Sequence, residues 1–324
     1  MKVAKIKAIS YITPDNFLSN DDLVKEFPEW SVEKVAQKVG ISKRNISNEN
    51  EYSSDLAIKA AEKLFKEHSI DRNTIDLVIL CTQSPDYLLP TTACIIQDKL
   101  GLPTSCGAFD FNLGCSGYVY GLSIAKGFIY SSVAENILLL TSETYTKYLD
   151  KNDKSNRTIF GDAASATLIS KEGYAEIKDF VLGSDGSGAE NLIVKNSGSR
   201  QVKGESNKLF MNGAEIFNFT LKAVPSLVDK VLLKNNLNKE SIDLFILHQA
   251  NKYMLNHLRK KMKIEEDNFY NFMEEVGNTV SSTIPIAIYN AIKDEKIIDN
   301  CNLLIAGFGV GYSWGGTILE FQKQ

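Results

Sequence analysis

The sequence predicts an α/β fold built from two copies of one unit, each with a mixed, mainly parallel sheet. Two observations carry this. The first is a series of apolar runs of strand length that alternate with helical patterns, as expected of successive βα units. The second is an internal repeat. Thr74-Ile75-Asp76-Leu77-Val78-Ile79-Leu80 matches Ser241-Ile242-Asp243-Leu244-Phe245-Ile246-Leu247 at an offset of 167 (243 − 76). Asn136-Ile137-Leu138-Leu139-Leu140 answers Asn302-Leu303-Leu304-Ile305-Ala306 at 166 (302 − 136). Between them, Gly114-Cys115 and its helix answer Gly277-Asn278 and its helix at 163 (278 − 115). Lys59-Ala60 likewise answers Lys222-Ala223. Matches in one order at nearly one offset divide the chain into 1–172 and 173–324.

Composition narrows the class. The chain has 324 residues, 44% hydrophobic and 23% charged, which is ordinary for a globular protein. A net charge of −4 gives no bulk attraction to nucleic acid or an anionic membrane. No apolar run approaches the ~20 residues of a membrane span, and Met1-Lys2-Val3-Ala4-Lys5-Ile6 reads as a first strand and not as a leader. Five cysteines without a CxxC pair argue against a disulfide framework or a zinc site and suit a reducing cytoplasm.

In order, residues 3–13 read as a strand ended by Pro14, and 21–39 as mixed helix around Trp30. Residues 38–44 form a basic turn, and 52–68 an amphipathic helix through Leu56, Ala57, Ala60, Ala61, Leu64 and Phe65. Ile75–Cys81 is continuously apolar, as in a strand covered on both faces. A loop over 83–90 exposes Tyr87, Leu88 and Leu89. A helix over 91–100 and strands over 106–112, 136–141, 167–170 and 175–183 follow, with 184–208, rich in Gly, Ser, Asn and Lys, as a surface excursion.

The chemistry centres on Phe109-Asp110-Phe111-Asn112-Leu113-Gly114-Cys115-Ser116-Gly117-Tyr118. Tyr118, Leu122, Ala125 and Ile129 recur at helical spacing, so Cys115 stands at a strand-to-helix junction. There free N–H groups and the helix dipole favour a thiolate nucleophile. A buried structural thiol is the alternative. If the copies pack about a pseudo-twofold axis, Asn278 faces Cys115 and His248 ends a neighbouring strand. His248 follows four apolar residues and reads as buried, whereas His68 and His257 sit among charged neighbours. Five glycines in Gly307-Phe308-Gly309-Val310-Gly311-Tyr312-Ser313-Trp314-Gly315-Gly316 suit either a tight turn or a backbone N–H aimed at an oxyanion. No GxxxxGK[ST] phosphate loop occurs, and Gly-Phe-Gly-Val-Gly opens no helix.

Four ordered motifs, Asp110-x4-Cys115-Ser116-Gly117, His248-Gln249-Ala250-Asn251, Gly277-Asn278-Thr279 with Ile284-Pro285, and Gly307-Phe308-Gly309-x-Gly311-x2-Trp314-Gly315, resemble the β-ketoacyl-acyl-carrier-protein synthase III family. The resemblance runs from Trp30 to Trp314. It implies the thiolase fold, in α-β-α-β-α layers. It implies a Cys115, His248 and Asn278 triad that condenses an acyl-CoA with malonyl-acyl-carrier protein through acyl-Cys115. The backbone N–H groups of Cys115 and Val310 would form the oxyanion hole. No metal or redox cofactor is implied, coenzyme A being part of the substrate.

The resemblance also assigns Trp30 and Arg157 to the CoA nucleotide, Asn251 to the pantetheine and Gly213 to the tunnel. It makes the chain a homodimer in which Leu88 and Leu89 reach the partner's acyl pocket. Arg259, Lys260, Lys261 and Lys263 could dock carrier protein, or simply form a solvated helix face. Some positions depart from the family pattern. Lys38 replaces a common arginine, Ala163 and Ser165 replace glycines, Ala214 replaces an asparagine and Val310 a glycine. These point to a reshaped pocket. Alternatives are a same-fold acyltransferase that forms no carbon–carbon bond, a non-catalytic partner subunit and a cysteine hydrolase.

Overall fold

The computed structural model describes residues 3–322. Its strands are β1 (Lys5–Ile12), β2 (Phe17–Ser19), β3 (Lys43–Asn45), β4 (Leu77–Cys81), β5 (Gly107–Phe111), β6 (Ile137–Glu143), β7 (Ala163–Ser170), β8 (Ala175–Ile177), β9 (Val181–Ser184), β10 (Leu192–Ile193), β11 (Phe210–Met211), β12 (Leu244–Leu247), β13 (Asn302–Gly309) and β14 (Ser313–Phe321). Its α-helices are α1 (Asn20–Glu26), α2 (Val32–Val39), α3 (Ser53–His68), α4 (Thr92–Lys99), α5 (Gly117–Ser131), α6 (Lys154–Arg157), α7 (Gly213–Lys234), α8 (Lys252–Met262) and α9 (Thr283–Lys293).

One sheet runs β12-β13-β14-β8-β1-β7-β6-β4-β5, with β9 also paired to β14. In the first half β4 lies parallel to β5 and β6, while β6–β7 and β7–β1 are antiparallel. In the second, β12 lies parallel to β13, while β13–β14 and β14–β8 are antiparallel. A parallel bridge between Phe245 and Phe269 stands where β4 meets β5. Leu77 faces Ile137, and Leu244 faces Leu303, which is the register of the sequence repeat. Helices α5 and α9 start 166 residues apart (283 − 117). The shorter offset between Cys115 and Asn278 arises because the 3₁₀ turn Val280–Ser282 separates Asn278 from its helix. We propose that the halves divide at 172/173, between β7 and β8; the sheet itself runs on through the β1–β8 pairing.

Alternation along the strands sets the layers, because successive side chains point to opposite faces. Leu77, Ile79, Ile137 and Leu139 of the first half share one core with Leu244, Ile246, Leu303 and Ile305 of the second. Helices α5 and α9 fill that core, packing on strands of both halves. Enclosure on both sides explains why these two helices are apolar nearly all round. Val78, Leu80, Leu138 and Leu140 face outward under α3 and α4. Phe245, Leu247, Leu304 and Ala306 face outward under α7 and α8. The result is the five-layer α-β-α-β-α order.

Several elements differ from expectation. The run 175–183 forms two strands, β8 and β9, with only β8 reaching β1. The basic turn contains strand β3, and Arg44 within it is fully buried. Its guanidinium donates to the Asn20 Oδ1 (2.9 Å), the Leu18 carbonyl (3.1 Å) and the Thr158 carbonyl (2.9 Å). The segment 184–208 is not wholly a surface excursion, because Leu192 is buried in the hairpin β10–β11. Met1 and Lys2 lie outside the described residues. Leu139→Ala, at a fully buried position of the central core, should lower unfolding free energy by about 2–5 kcal/mol in denaturant titrations. Leu233→Ala, at a position 78% exposed on α7, should change it by under about 0.5 kcal/mol.

Candidate active site

Cys115 lies in the short segment between β5 and α5. The segment is set by Asp110, whose carboxylate accepts the N–H groups of Thr92 and Ala93 at 2.7 Å each, capping α4. The glycine-rich segment runs against the cysteine. A Cβ on Gly309 would lie 3.0 Å from both the Cys115 Cβ and Sγ, and one on Gly307 would lie 2.6 Å from the Cys115 carbonyl oxygen. The glycines therefore serve close approach. The backbone N–H groups of Val310 and of Cys115 itself face the sulfur closely enough to favour its charged form.

His248 follows β12, where its N–H donates to the Ala306 carbonyl of β13 at 2.8 Å. Its ring is buried, stands edge-to-face on Phe308 (5.6 Å, 85°) and bonds Thr283 Oγ1 through Nδ1 at 2.7 Å. Asn278 is laced to the segment after α6: its N–H donates to the Ile159 carbonyl (2.9 Å), and its carbonyl accepts the Gly161 N–H (3.0 Å). Gly277, at φ +75, lets the chain enter this bridge, and a Cβ there would lie 2.9 Å from the Arg44 Cβ. The Asn278 Oδ1 accepts the Val280 N–H at 2.9 Å, which fixes the amide's orientation and leaves Nδ2 as its donor end. Cys115, His248 and Asn278 line one cavity of about 120 Å³, walled mainly by apolar side chains such as Phe308, Leu192 and Met211.

Burial dominates the electrostatics. It pushes the Cys115 thiol up to about 12, the nearby Glu143 carboxylate adding to the shift and the two N–H groups opposing it. The thiolate expected from the helix terminus is therefore not the resting form. Burial holds His248 down to about 3, so the imidazole is neutral. It raises Glu143, at the end of β6, to about 8. The Glu143 carboxylate accepts the Gln83 N–H, the Ser84 hydroxyl (3.1 Å) and the Ser281 hydroxyl (2.9 Å). It thereby ties the β6 end to the turn that carries Asn278.

Of the remaining expected residues, Asn251 and Gly213 line the same cavity. Asn251 also caps α8, its Oδ1 accepting the Met254 N–H at 2.9 Å. Trp30 and Arg157 do not line it. They meet instead at Phe27, Trp30 packing on its ring (6.2 Å) and the Arg157 guanidinium lying over it (5.5 Å). Arg157 is held by both carboxylate oxygens of Glu26, and its side chain is only 14% exposed. The freer cation there is Lys154, which also stands over Phe27 and pairs with Glu29. Leu88 and Leu89 are 80% and 83% exposed and touch no part of this cavity. Arg259, Lys260 and Lys261 close the last turn of α8, where cations complement the helix dipole, and Lys263 is its C-cap.

Sequence reasoning missed Thr283, Glu143 and Lys154. The first two carried a faint signal: a hydroxyl run over 279–283 opening an apolar helix, and an acid ending an apolar strand. In the unliganded protein, iodoacetamide labelling of Cys115 should climb with pH without levelling below pH 10. Above pH 8, where Glu143 is charged, Glu143→Gln should lower the thiol pKa and speed labelling. A plateau near neutrality would show the thiolate already present.

Comparison with known proteins identifies the family and the fold. Residues 109–186 match the family model described as 3-oxoacyl-[acyl-carrier-protein (ACP)] synthase III, and residues 232–321 match its C-terminal counterpart. The β-ketoacyl-[acyl-carrier-protein] synthase III of Clostridium perfringens is 36% identical over 99% of this chain and 100% of its own. A crystal structure of 3-oxoacyl-(acyl-carrier-protein) synthase III matches at TM-score 0.96 and 46% identity, covering 98% of this chain and 100% of that one. The Burkholderia xenovorans 3-oxoacyl-(acyl-carrier protein) synthase matches at TM-score 0.93 and 37% identity, covering 99% and 94%. Matched over almost its full length in sequence and in fold, the chain belongs to the β-ketoacyl-acyl-carrier-protein synthase III family of thiolase-fold condensing enzymes.

Proposed function

We propose that this chain condenses an acyl-CoA primer with malonyl-acyl-carrier protein, with loss of CO₂, through an acyl-Cys115 intermediate, in fatty acid or related acyl biosynthesis. The observation that carries the reading is one thiol and two neutral side chains, His248 and Asn278, on the wall of a single apolar cavity. In the first half reaction the Cys115 sulfur attacks the acyl thioester carbonyl. A new S–C bond forms, and CoA leaves as the thiol, taking the proton. In the second, the malonyl C–CO₂ bond breaks and its electron pair flows onto the thioester oxygen as an enolate. His248 and Asn278 Nδ2 donate to that oxygen, where neutral, pre-oriented donors in a dry site count most. The enolate carbon attacks acyl-Cys115, the N–H groups of Cys115 and Val310 hold the oxyanion, and the cysteine sulfur leaves as thiolate and takes up one proton from solvent to restore the resting thiol.

Asn251 and Gly213 would border the pantetheine arm, and the Phe27 cluster of Trp30, Arg157 and Lys154 would receive the nucleotide. The carrier protein, an acid-rich partner in this reading, would meet Lys260, Lys261 and Lys263. No bound metal or redox group is needed for these steps. Among the described residues no helix is long and apolar enough to cross a membrane. A homodimer is also part of the proposal. Strand β5 ends the sheet with one edge unpaired, and the loop before α4 exposes Tyr87, Leu88 and Leu89 together. Such an edge and patch fit a second copy of the chain under twofold symmetry.

Mixing with a panel of acyl-CoAs should raise the intact mass by one acyl group, and Cys115→Ala should abolish the rise. Acyl transfer to another cysteine would defeat the assignment. Asn278→Ala should retain acyl loading while CO₂ release falls by roughly 10²-fold or more, the scale of one lost oxyanion donor; equal losses in both half reactions would contradict the division of roles. Leu89→Phe should penalise long acyl-CoAs relative to acetyl-CoA, and Leu89→Ala should favour them. An active monomer by light scattering, or an unchanged chain-length profile in both variants, would exclude a pocket completed in trans.

A further inference from the structure

We infer that the Thr283 hydroxyl sets the tautomer of His248, donating to Nδ1 so that the ring carries its proton on Nε2 and meets the substrate as a hydrogen-bond donor, not as a base. The inference rests on the role given to His248 above. Thr283 opens α9 and is buried. Its single hydroxyl proton has two neighbours, the His248 Nδ1 at 2.7 Å and the Val280 carbonyl at 3.0 Å. Only two arrangements satisfy them. If Thr283 donates to Val280, then Nδ1–H donates to Thr283 and Nε2 is left with a bare lone pair. If Thr283 donates to Nδ1, then Nε2 carries the proton.

The lengths separate the two. A contact of 2.7 Å is ordinary for a hydroxyl donor but short for an N–H donor, and 3.0 Å is at the long limit for a hydroxyl on an oxygen acceptor. Both observations favour Thr283 donating to Nδ1. The Val280 carbonyl then keeps its place in the 3₁₀ turn Val280–Ser282, where i→i+3 bonding serves it. The neighbours hold the hydroxyl in position. Ser281 is tied to Glu143 (2.9 Å), and Ser282 to Thr141 (2.7 Å). Phe308 lies edge-to-face with the ring, so a flipped imidazole would turn Nδ1 away from its one side-chain partner. Burial keeps the ring neutral, so one nitrogen alone can donate. A donor at Nε2 beside the Asn278 amide gives the enolate oxygen two hydrogen bonds from uncharged groups. Thr283 is thus a positioning residue acting through His248.

The test is histidine ¹⁵N NMR on the full chain, which has only three histidines; His68→Gln and His257→Gln assign the signal of His248. The expected spectrum has a protonated Nε2 and an unprotonated, hydrogen-bonded Nδ1. A protonated Nδ1 in the native protein would overturn the inference. The second arm compares Thr283→Val, which removes the hydroxyl at constant shape, with Thr283→Ser, which keeps it. Thr283→Val should cut CO₂ release from malonyl-acyl-carrier protein by about tenfold or more while acylation of Cys115 is spared, and Thr283→Ser should restore it. Equal losses in both half reactions, or a serine variant as impaired as the valine one, would also overturn it. Should Thr283→Val not fold, the native spectrum and the serine variant still decide. Failure of the native enzyme to acylate Cys115 would refute the function, while the spectrum would still report the tautomer.

Discussion

Burial of Cys115, His248 and Asn278 between the two halves of the sheet is the constraint on which the rest of this molecule depends. Cys115, His248 and Asn278 sit at the ends of elements that share one central core, behind apolar walls. Low local polarity penalises every charge there. The thiol is held protonated, the imidazole neutral and the Glu143 carboxyl raised into the neutral range. Such a site works through oriented dipoles and not through standing ions, and dipoles count for more where water is excluded. The protonated resting thiol follows from the same cause. The Val310 and Cys115 N–H groups are the contacts that oppose this shift.

Orientation in turn comes from main chain. The Gly307–Gly309 backbone rests on Cys115 because no side chain intervenes. Asn278 is pinned through both of its own peptide groups to residues 159 and 161, and His248 through its N–H to β13. Side chains only finish the work: Val280 N–H occupies the Asn278 Oδ1, and Thr283 occupies the His248 Nδ1. The Asn278 turn is also braced from behind by Arg44, a fully buried guanidinium bonded to three segments of chain with no carboxylate among its partners. Its pKa falls to about 10 on burial, yet it stays charged at neutral pH. A partner for that charge must come from carbonyl dipoles, and this makes the region around Gly277 intolerant of displacement.

The cluster around Phe27, outside the cavity lining, follows the opposite rule. Phe27 gathers Trp30, Lys154 and Arg157 with Glu26 and Glu29 in a partly exposed cluster of aromatic faces and ion pairs. Charges persist there because water screens them.

The amino-acid sequence by itself determined what is periodic or translational. Continuous apolar runs in 77–80, 137–140, 244–247 and 303–306 specify strands covered on both faces. The repeat at 166–167 residues specifies their equivalent pairing, and both are legible along the chain as runs or repeated residues. The motifs around Cys115, His248, Asn278 and Gly309 singled out the lining of the cavity for the same reason. Only the tertiary structure decided what depends on distance between residues remote in sequence. The thiol shift caused by burial and Glu143 is one case, the capture of Arg157 by Glu26 another. The pairing of Thr283 with His248, 35 residues away, is a third, and the turn of Leu192 into the wall a fourth. Hydrogen bonds, ion pairs and burial need groups remote in sequence to come together in space, so no linear pattern encodes them until the layers have closed.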